Sequence, residues 1–218
     1  FMALLVMNLY MMQKKKMQEM QEELVSVIMP SFNGAAHLAT SIDSILNQTY
    51  HNIELLITDD HSDDEETLGI LRKYSEQDSR VDVLYLESNH GPGYARNKSI
   101  ERAKGRYIAF CDSDDRWFPE KLEKQIAYMK EQDCALCYAS YIICNAQNEE
   151  RGIVYAPSHI TFNQLKRDNK IGCLTAVYDT QKLGRKYYMP AIRKRQDWGL
   201  FLTILRDCHE AKALREPQ

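Results

Sequence analysis

The sequence has no excess of positive charge. Its 28 Lys and Arg face 31 Asp and Glu among 218 residues, for a formal net charge of −3. That balance argues against general nucleic-acid binding, which wants a basic domain. No apolar run reaches membrane-spanning length. Phe1 to Met12 is almost wholly apolar, but it is broken by Asn8 and falls short of the ~20 residues a spanning helix needs. A secretory signal pattern is also missing, because Lys14, Lys15 and Lys16 follow the apolar stretch instead of preceding it. Of six cysteines, Cys134 and Cys137 form a C-x-x-C pair, with no second Cys or His pair at zinc-site spacing. The pair lies in an apolar run and reads as buried free thiols, in a chain expected in a reducing cytoplasm. No internal repeat or low-complexity linker divides the chain, and its length allows one large domain or two small ones.

What is present is an alternation of two periodicities. Leu24 to Met29, Ile53 to Thr58, Val81 to Leu86 and Tyr107 to Phe110 are short apolar runs of strand type. Pro30 is expected to end the first run, with a turn at Ser31-Phe32-Asn33-Gly34. Between the runs lie helix patterns: about Ala35 to Asn47, Glu65 to Tyr74, and from Gly91 through Lys104. This order predicts βαβ units and a mostly parallel sheet. Pro119 opens a further helix to about Lys130, and Ala135 to Cys144 is one more strand. Beyond Glu149 the pattern loosens. A hairpin over Asn145 to Tyr155 and a short helix at Phe162 to Arg167 are expected, then an amphipathic helix from Gln196 to Asp207. Gln13 to Glu23 has helix-forming composition. Residues 1–23 are expected to be a helical extension, used for self-association, for peripheral membrane contact, or for nothing.

The chemistry gathers after the fourth strand, at Cys111-Asp112-Ser113-Asp114-Asp115. In open α/β sheets, ligands bind at strand C-terminal tips. Carboxylates this close repel one another and call for a cation or a strong set of donors. Mg²⁺ is commonly held by one or two carboxylates plus substrate phosphates, so a metal–diphosphate site is one reading. Ordinary capping of the helix that follows is the other.

With these landmarks the first half resembles the family 2 glycosyltransferases, inverting enzymes of the GT-A fold that include many bacterial polysaccharide and surface-glycan enzymes. The resemblance rests on Val25-Ser26-Val27-Ile28-Met29-Pro30-Ser31-Phe32-Asn33, Ser44-Ile45-Leu46-Asn47-Gln48-Thr49-Tyr50 and Glu54-Leu55-Leu56-Ile57-Thr58-Asp59-Asp60. It continues through Gly91, Ala95-Arg96-Asn97, Ala103-Lys104-Gly105-Arg106 and the acidic cluster. It covers about Leu24 to Met129 and thins afterwards. It implies an α/β, Rossmann-like fold with a mostly parallel central sheet flanked by helices. The GT-A domain would span residues 24–218, with a nucleotide-binding half at 24–130 and an acceptor-side half at 131–218.

The resemblance also implies roles. Pro30, Ser31, Phe32 and Asn33 would line the nucleotide, with Phe32 stacked on the base. Asp60 would accept from a uracil N–H. Arg96, Asp112 and Ser113 would lie at the nucleotide, and Asp114, with Asp112, would hold Mn²⁺ or Mg²⁺. Arg96 in a plain salt bridge is an equal alternative. An inverting transfer needs a general base, and Asp197 in Gln196-Asp197-Trp198 stands where the family has an Asp, usually after a Glu; the alternative is an Asp that simply favours the helix N-terminus. The chain is then a hexosyl- or N-acetylhexosaminyl-transferase. It would move a sugar from a nucleotide-sugar, UDP-linked, to a glycan, glycoprotein or lipid-linked acceptor, in the cytoplasm or at the inner face of the membrane. A non-catalytic nucleotide- or sugar-binding or assembly protein on the same scaffold is the alternative.

Two other readings are weaker. Gly91-Pro92-Gly93-Tyr94-Ala95-Arg96 gives G-x-G but puts Arg96 where a dinucleotide fingerprint needs a small residue. A nucleotidyltransferase would need a Gly-rich loop where Pro30-Ser31-Phe32-Asn33 stands. The basic stretch from Lys182 to Arg195 has three readings: a loop closing on the diphosphate, a surface for a phosphorylated or lipid-linked acceptor, or a solvated face. Tyr187, Tyr188 and Trp198 could stack on sugars or sit in the core.

Overall fold

The computed structural model describes residues 23–218 apart from 146 and 148. The expectations for the extension over residues 1–22 lie outside these. The strands are β1 (Val25–Ser31), β2 (Ile53–Asp59), β3 (Val81–Tyr85), β4 (Tyr107–Phe110), β5 (Leu136–Cys144), β6 (Glu150–Val154), β7 (His159–Thr161), β8 (Val177–Asp179) and β9 (Glu210–Pro217). The helices are α1 (Ala35–Leu46), α2 (Glu65–Gln77), α3 (Pro92–Arg102), α4 (Lys121–Glu131), α5 (Phe162–Leu165), α6 (Thr180–Leu183) and α7 (Gln196–Cys208).

The strands join in the order β3-β2-β1-β4-β8-β5-β9-β7, with β6 paired to β5. Strands β1 to β4 pair in parallel, as the βαβ alternation predicts. The short strand β8 lies antiparallel between β4 and β5, and β9 runs parallel to β5. Three of these elements, β7, β8 and β9, were not legible. Two of them have only three residues, and β9 reads Glu-Ala-Lys-Ala-Leu-Arg-Glu-Pro, which has weak strand propensity. Pairing with β5 and β7 makes it a strand.

The expectation that Pro30 ends the first strand is corrected: β1 continues through it to Ser31. Even-numbered residues of β1 face β4, since the Ile28 carbonyl accepts from Cys111 N–H. Pro30 therefore turns its missing donor to the side where β4 has already ended, and no ladder bond is lost.

Alternation along β1 and β4 splits the core. Val25, Val27 and Met29 pack with Leu38, Ile42 and Ile45 of α1 and Leu122 and Ile126 of α4. On the other face Ile28, Ile108 and Phe110 pack with Ile100 of α3 and Phe201, Ile204 and Leu205 of α7. Register then places the site. Ser31 pairs with Asp59, and Ile28 with Phe110, so β1, β2 and β4 all end at one edge of the sheet. The segments that follow them gather there.

A buried lysine opens the helix that follows β4. Lys121, fully buried at the start of α4, donates to Gln125 Oε1 at 2.6 Å and lies 4.0 Å from the Trp117 ring centroid. Burial pulls its pKa down from 10.5 to about 7. Between those values the unfolded chain holds a proton that the folded protein has released, so stability rises with pH through that window and the penalty is full below about pH 7. Lys121→Met is therefore expected to raise the melting temperature at pH 6 and to flatten the rise between pH 7 and 10. Thermal denaturation at several pH values checks this, and a lower melting temperature at pH 6 would refute it.

Candidate functional site

The acidic segment leaves β4 at Cys111, whose N–H is still bonded to β1. Asp112, Asp114 and Asp115 follow, and each places a carboxylate oxygen within 4.8 Å of the others'. Asp115, absent from the sequence-level ligand set, completes the group; its only signal was adjacency to Asp114. Burial, then the charges of Asp112 and Asp114, push the Asp115 carboxyl up from 3.8 to about 7. Three clustered oxygens carrying this much mutual repulsion suit a hard divalent cation, which takes oxygen ligands and relieves the charge. The donor set fits Mn²⁺ or Mg²⁺.

Arg96 of α3 is buried beside this group and donates through Nη2 to both oxygens of Asp112, at 2.6 and 2.7 Å. Burial works to lower the Arg96 pKa, but the charge and hydrogen bonds of Asp112 outweigh it, with a smaller contribution from Asp197, so the net direction is up. The salt-bridge alternative for Arg96 is thus what the structure shows for its Nη2. Its Nε is buried with no partner among the described residues, as is Ser31 Oγ at the tip of β1. Polar atoms buried this way carry a desolvation cost until something bonds them.

The loop after β1 is fixed by its own side chains. Asn33, at φ +47°, donates through Nδ2 to Asp63 Oδ1 at 2.8 Å, and its Oδ1 accepts from the Asp63 and Asp64 N–H groups. Asn33 therefore holds two loops together, and its amide has little left for a ligand. Phe32 next to it is half exposed, as a stacking platform must be. Ser113 is pinned from below, its carbonyl accepting from Ser41 Oγ at 2.9 Å. Asp60 is more committed than its sequence position suggests. Its two oxygens accept from the His90 and Gly91 N–H groups at 2.8 and 2.6 Å, tying β2 to the entrance of α3. A base N–H reaching Asp60 would share an oxygen already bonded to the main chain.

Asp197 reaches the same place from 85 residues beyond Asp112. It opens α7, near enough to Arg96 and the partly buried Cys173 for its charge to act on both. Three contacts hold α7 there. A Cβ on Gly93 of α3 would lie 2.9 Å from Gln196 Cγ, so α3 and the start of α7 approach closely, and one on Gly199 would lie 2.5 Å from the Pro190 ring, which cannot swing away, so that position needs glycine. Asn97 clamps the preceding loop: its Nδ2 donates to Met189 O at 3.0 Å, and its Oδ1 accepts from Met189 N–H at 2.7 Å. The sequence pattern did not single out Asn97 as a site residue.

A cleft of about 720 Å³ opens from Asp114 and Asp115 toward the β5–β6 hairpin, between Thr40 and Asp43 of α1 and Tyr141. Trp117 and the exposed Phe118 form part of its wall. Of the aromatic residues near α7, Tyr187 is core and Trp198 is tied to Leu165 O through Nε1 at 2.8 Å, while Tyr188 is exposed. Cys134 and Cys137 are buried free thiols, as their apolar setting suggested. Among the described residues no helix is long and apolar enough to cross a membrane.

The family model for glycosyl transferase family 2 matches residues 26–190. A putative teichuronic acid biosynthesis glycosyltransferase, TuaG, of Bacillus subtilis is 40% identical over 194 residues, which are 88% of this chain and 76% of that protein. The Escherichia coli UDP-Glc:alpha-D-GlcNAc-diphosphoundecaprenol beta-1,3-glucosyltransferase WfgD is 43% identical over 188 residues, covering 86% of this chain and 72% of WfgD. Among solved structures, S. aureus TarS 1–349 superposes with a TM-score of 0.73 at 25% identity, over 88% of this chain and 58% of that one. This chain thus spans less than two thirds of that structure.

Proposed function

Because this chain belongs to the family 2 glycosyltransferases and is a glycosyltransferase of GT-A fold, we propose that it moves a hexosyl or N-acetylhexosaminyl group from a UDP-sugar, with inversion, to a lipid-linked glycan acceptor. The reading rests on one observation: the carboxylates of the β4 tip, Arg96 and Asp197 converge from three separate segments. The printed name of WfgD, a UDP-glucose enzyme acting on a diphosphoundecaprenol-linked sugar, supports the donor and the acceptor class. That of TuaG supports a role in cell-surface glycan synthesis.

Asp114, with Asp112 and Asp115, would hold Mn²⁺ or Mg²⁺. When bound, such a cation supplies Lewis acidity toward the diphosphate oxygens of the leaving nucleotide. Arg96 keeps Asp112 oriented and offsets part of the local negative charge. Phe32 stacks on the base, and Asp60, where an oxygen has a lone pair to share, accepts from it. Pro30, Ser31 and Ser113 border the same space, and the cleft beside Asp114 receives sugar rings. Asp197 takes the acceptor hydroxyl's proton as that oxygen bonds to C1 from the face opposite the nucleotide. The bond from C1 to the phosphate oxygen breaks, and the nucleoside diphosphate leaves.

Thermal denaturation with UDP, GDP or CDP, each with Mn²⁺ and with a chelator, tests the donor site. UDP with Mn²⁺ at 100 times its dissociation constant is expected to raise the melting temperature by roughly 5–11 °C. An equal rise in chelator would remove the metal from the reading. A rise with GDP or CDP alone would replace the donor, and no rise with any nucleotide would overturn it.

A further inference from the structure

We propose that Arg193, Lys194 and Arg195, which lead directly into α7, form a cradle for a phosphate or diphosphate carried by the acceptor. This deepens the reading above and rests on Asp197 as the group that meets the acceptor hydroxyl.

The basic segment is not uniform. Its earlier cations are committed: Lys182 to Asp133, Arg185 to Asp207, and Lys186 to the Glu101 carbonyl. The last three are exposed, and none has an acidic partner among the described residues. Three neighbouring cations repel one another. An anion brought among them gains charge-assisted bonds and removes that repulsion.

The cradle is held in shape. Asn97 clamps Met189, Pro190 packs on Gly199, and Ile192 N–H donates to Pro190 O at 2.8 Å. Gln196 Nε2 donates to the Arg193 carbonyl at 3.1 Å. The Arg195 guanidinium lies 5.2 Å from the centroid of the Trp198 ring, itself fixed by its bond to Leu165. Arg195 also takes φ +62° at the N-cap of α7, where no side chain caps the helix. Backbone of this left-handed kind is costly for a non-glycine residue and tends to persist at functional sites. The uncapped helix start adds partial positive charge in the same place.

Position supplies the link to the acceptor. Arg195 and Lys194 precede Asp197 by two and three residues. An acceptor sugar whose hydroxyl meets Asp197 would lie beside the loop that carries these cations. Tyr188 and Ile192, 45% and 50% exposed on the same loop, add apolar surface. That favours a phosphate carried on a lipid over a free one.

Titration calorimetry in chelator, where the metal-dependent donor site cannot recruit diphosphate, tests this with two probes, farnesyl diphosphate and inorganic pyrophosphate. The wild-type protein is expected to bind, and the R193Q/K194Q/R195Q variant to bind about tenfold or more weakly, since it loses the charge-assisted bonds to the anion. R193Q/K194Q, which keeps the Arg195–Trp198 contact, should lie between them. Both variants should keep the UDP and Mn²⁺ thermal shift. Tighter binding of farnesyl diphosphate than of pyrophosphate supports a lipid-carried phosphate, and equal binding supports a phosphate cradle alone. Undiminished binding by the triple variant, or no binding of either probe by the wild type, overturns the proposal. Asp197→Asn should bind farnesyl diphosphate at least as tightly as the wild type, since it removes a negative charge near the anion, so failure of the base assignment and failure of the cradle are read separately.

Discussion

Asp197→Asn is expected to leave nucleotide binding intact and to lower transfer by about 10²–10⁴-fold, the usual contribution of a positioned acid or base. The substitution keeps shape and hydrogen-bonding capacity but cannot accept a proton. Its local structural cost is small, because Asp197 is partly exposed at the start of α7 and no hydrogen bond from its side chain is found among the described residues. The neighbouring Arg96 keeps its own partner, Asp112, so no buried charge is left uncompensated. The measurement is single-turnover transfer at saturating donor, beside the UDP and Mn²⁺ thermal shift on the same preparation. Transfer at the wild-type rate would move the base elsewhere. Loss of the thermal shift as well would mean that α7 supports the donor site.

Asp114→Ala is expected to abolish the Mn²⁺-dependent part of nucleotide binding and to lower turnover by about 10³-fold or more, since Lewis-acid stabilisation is worth several kcal/mol and each 1.36 kcal/mol is tenfold. Among the clustered carboxylates, Asp114 is the informative one to remove. It is exposed, so the fold loses no buried contact with it. Asp112 is different: it neutralises an Arg96 side chain that is 8% exposed. Removing one partner of such a pair commonly costs about 3–5 kcal/mol, and lost activity would then be confused with lost structure. Asp114→Ala also takes away one of the charges that raise Asp115, so the apo protein should not be destabilised. An unchanged Mn²⁺-dependent shift would remove Asp114 from the ligand set.

The same residues show how far local pattern carries. The strands at Val25, Ile53, Val81 and Tyr107 were legible because a buried parallel strand is a short apolar run bounded by turns, a signal contained within a few residues. The helices between them were legible by their apolar faces. Strands β8 and β9 were not. Val177-Tyr178-Asp179 is too short to show a period, and the alanines of β9 become strand only through partners on both sides. The acidic tip was visible for the same local reason, an apolar pattern meeting charge, whereas Asp197 was singled out only through the family resemblance.

What the sequence determined by itself, then, is the βαβ order, the face each apolar residue turns inward, and the kinds of groups available for chemistry. Tertiary structure alone decided what those groups do to one another. Asp60, which reads as a free acceptor, is bonded to two amides 30 and 31 residues away. Asn33, which reads as a ligand contact, braces a loop about 30 residues away. Arg96 joins Asp112 to the field of Asp197, and Asn97 beside it fixes the loop that brings Asp197 in. Partners between distant segments are set by which strands lie side by side and which helices cross above them. Hydrophobic period reports which way a side chain points and carries no term for what it will meet there.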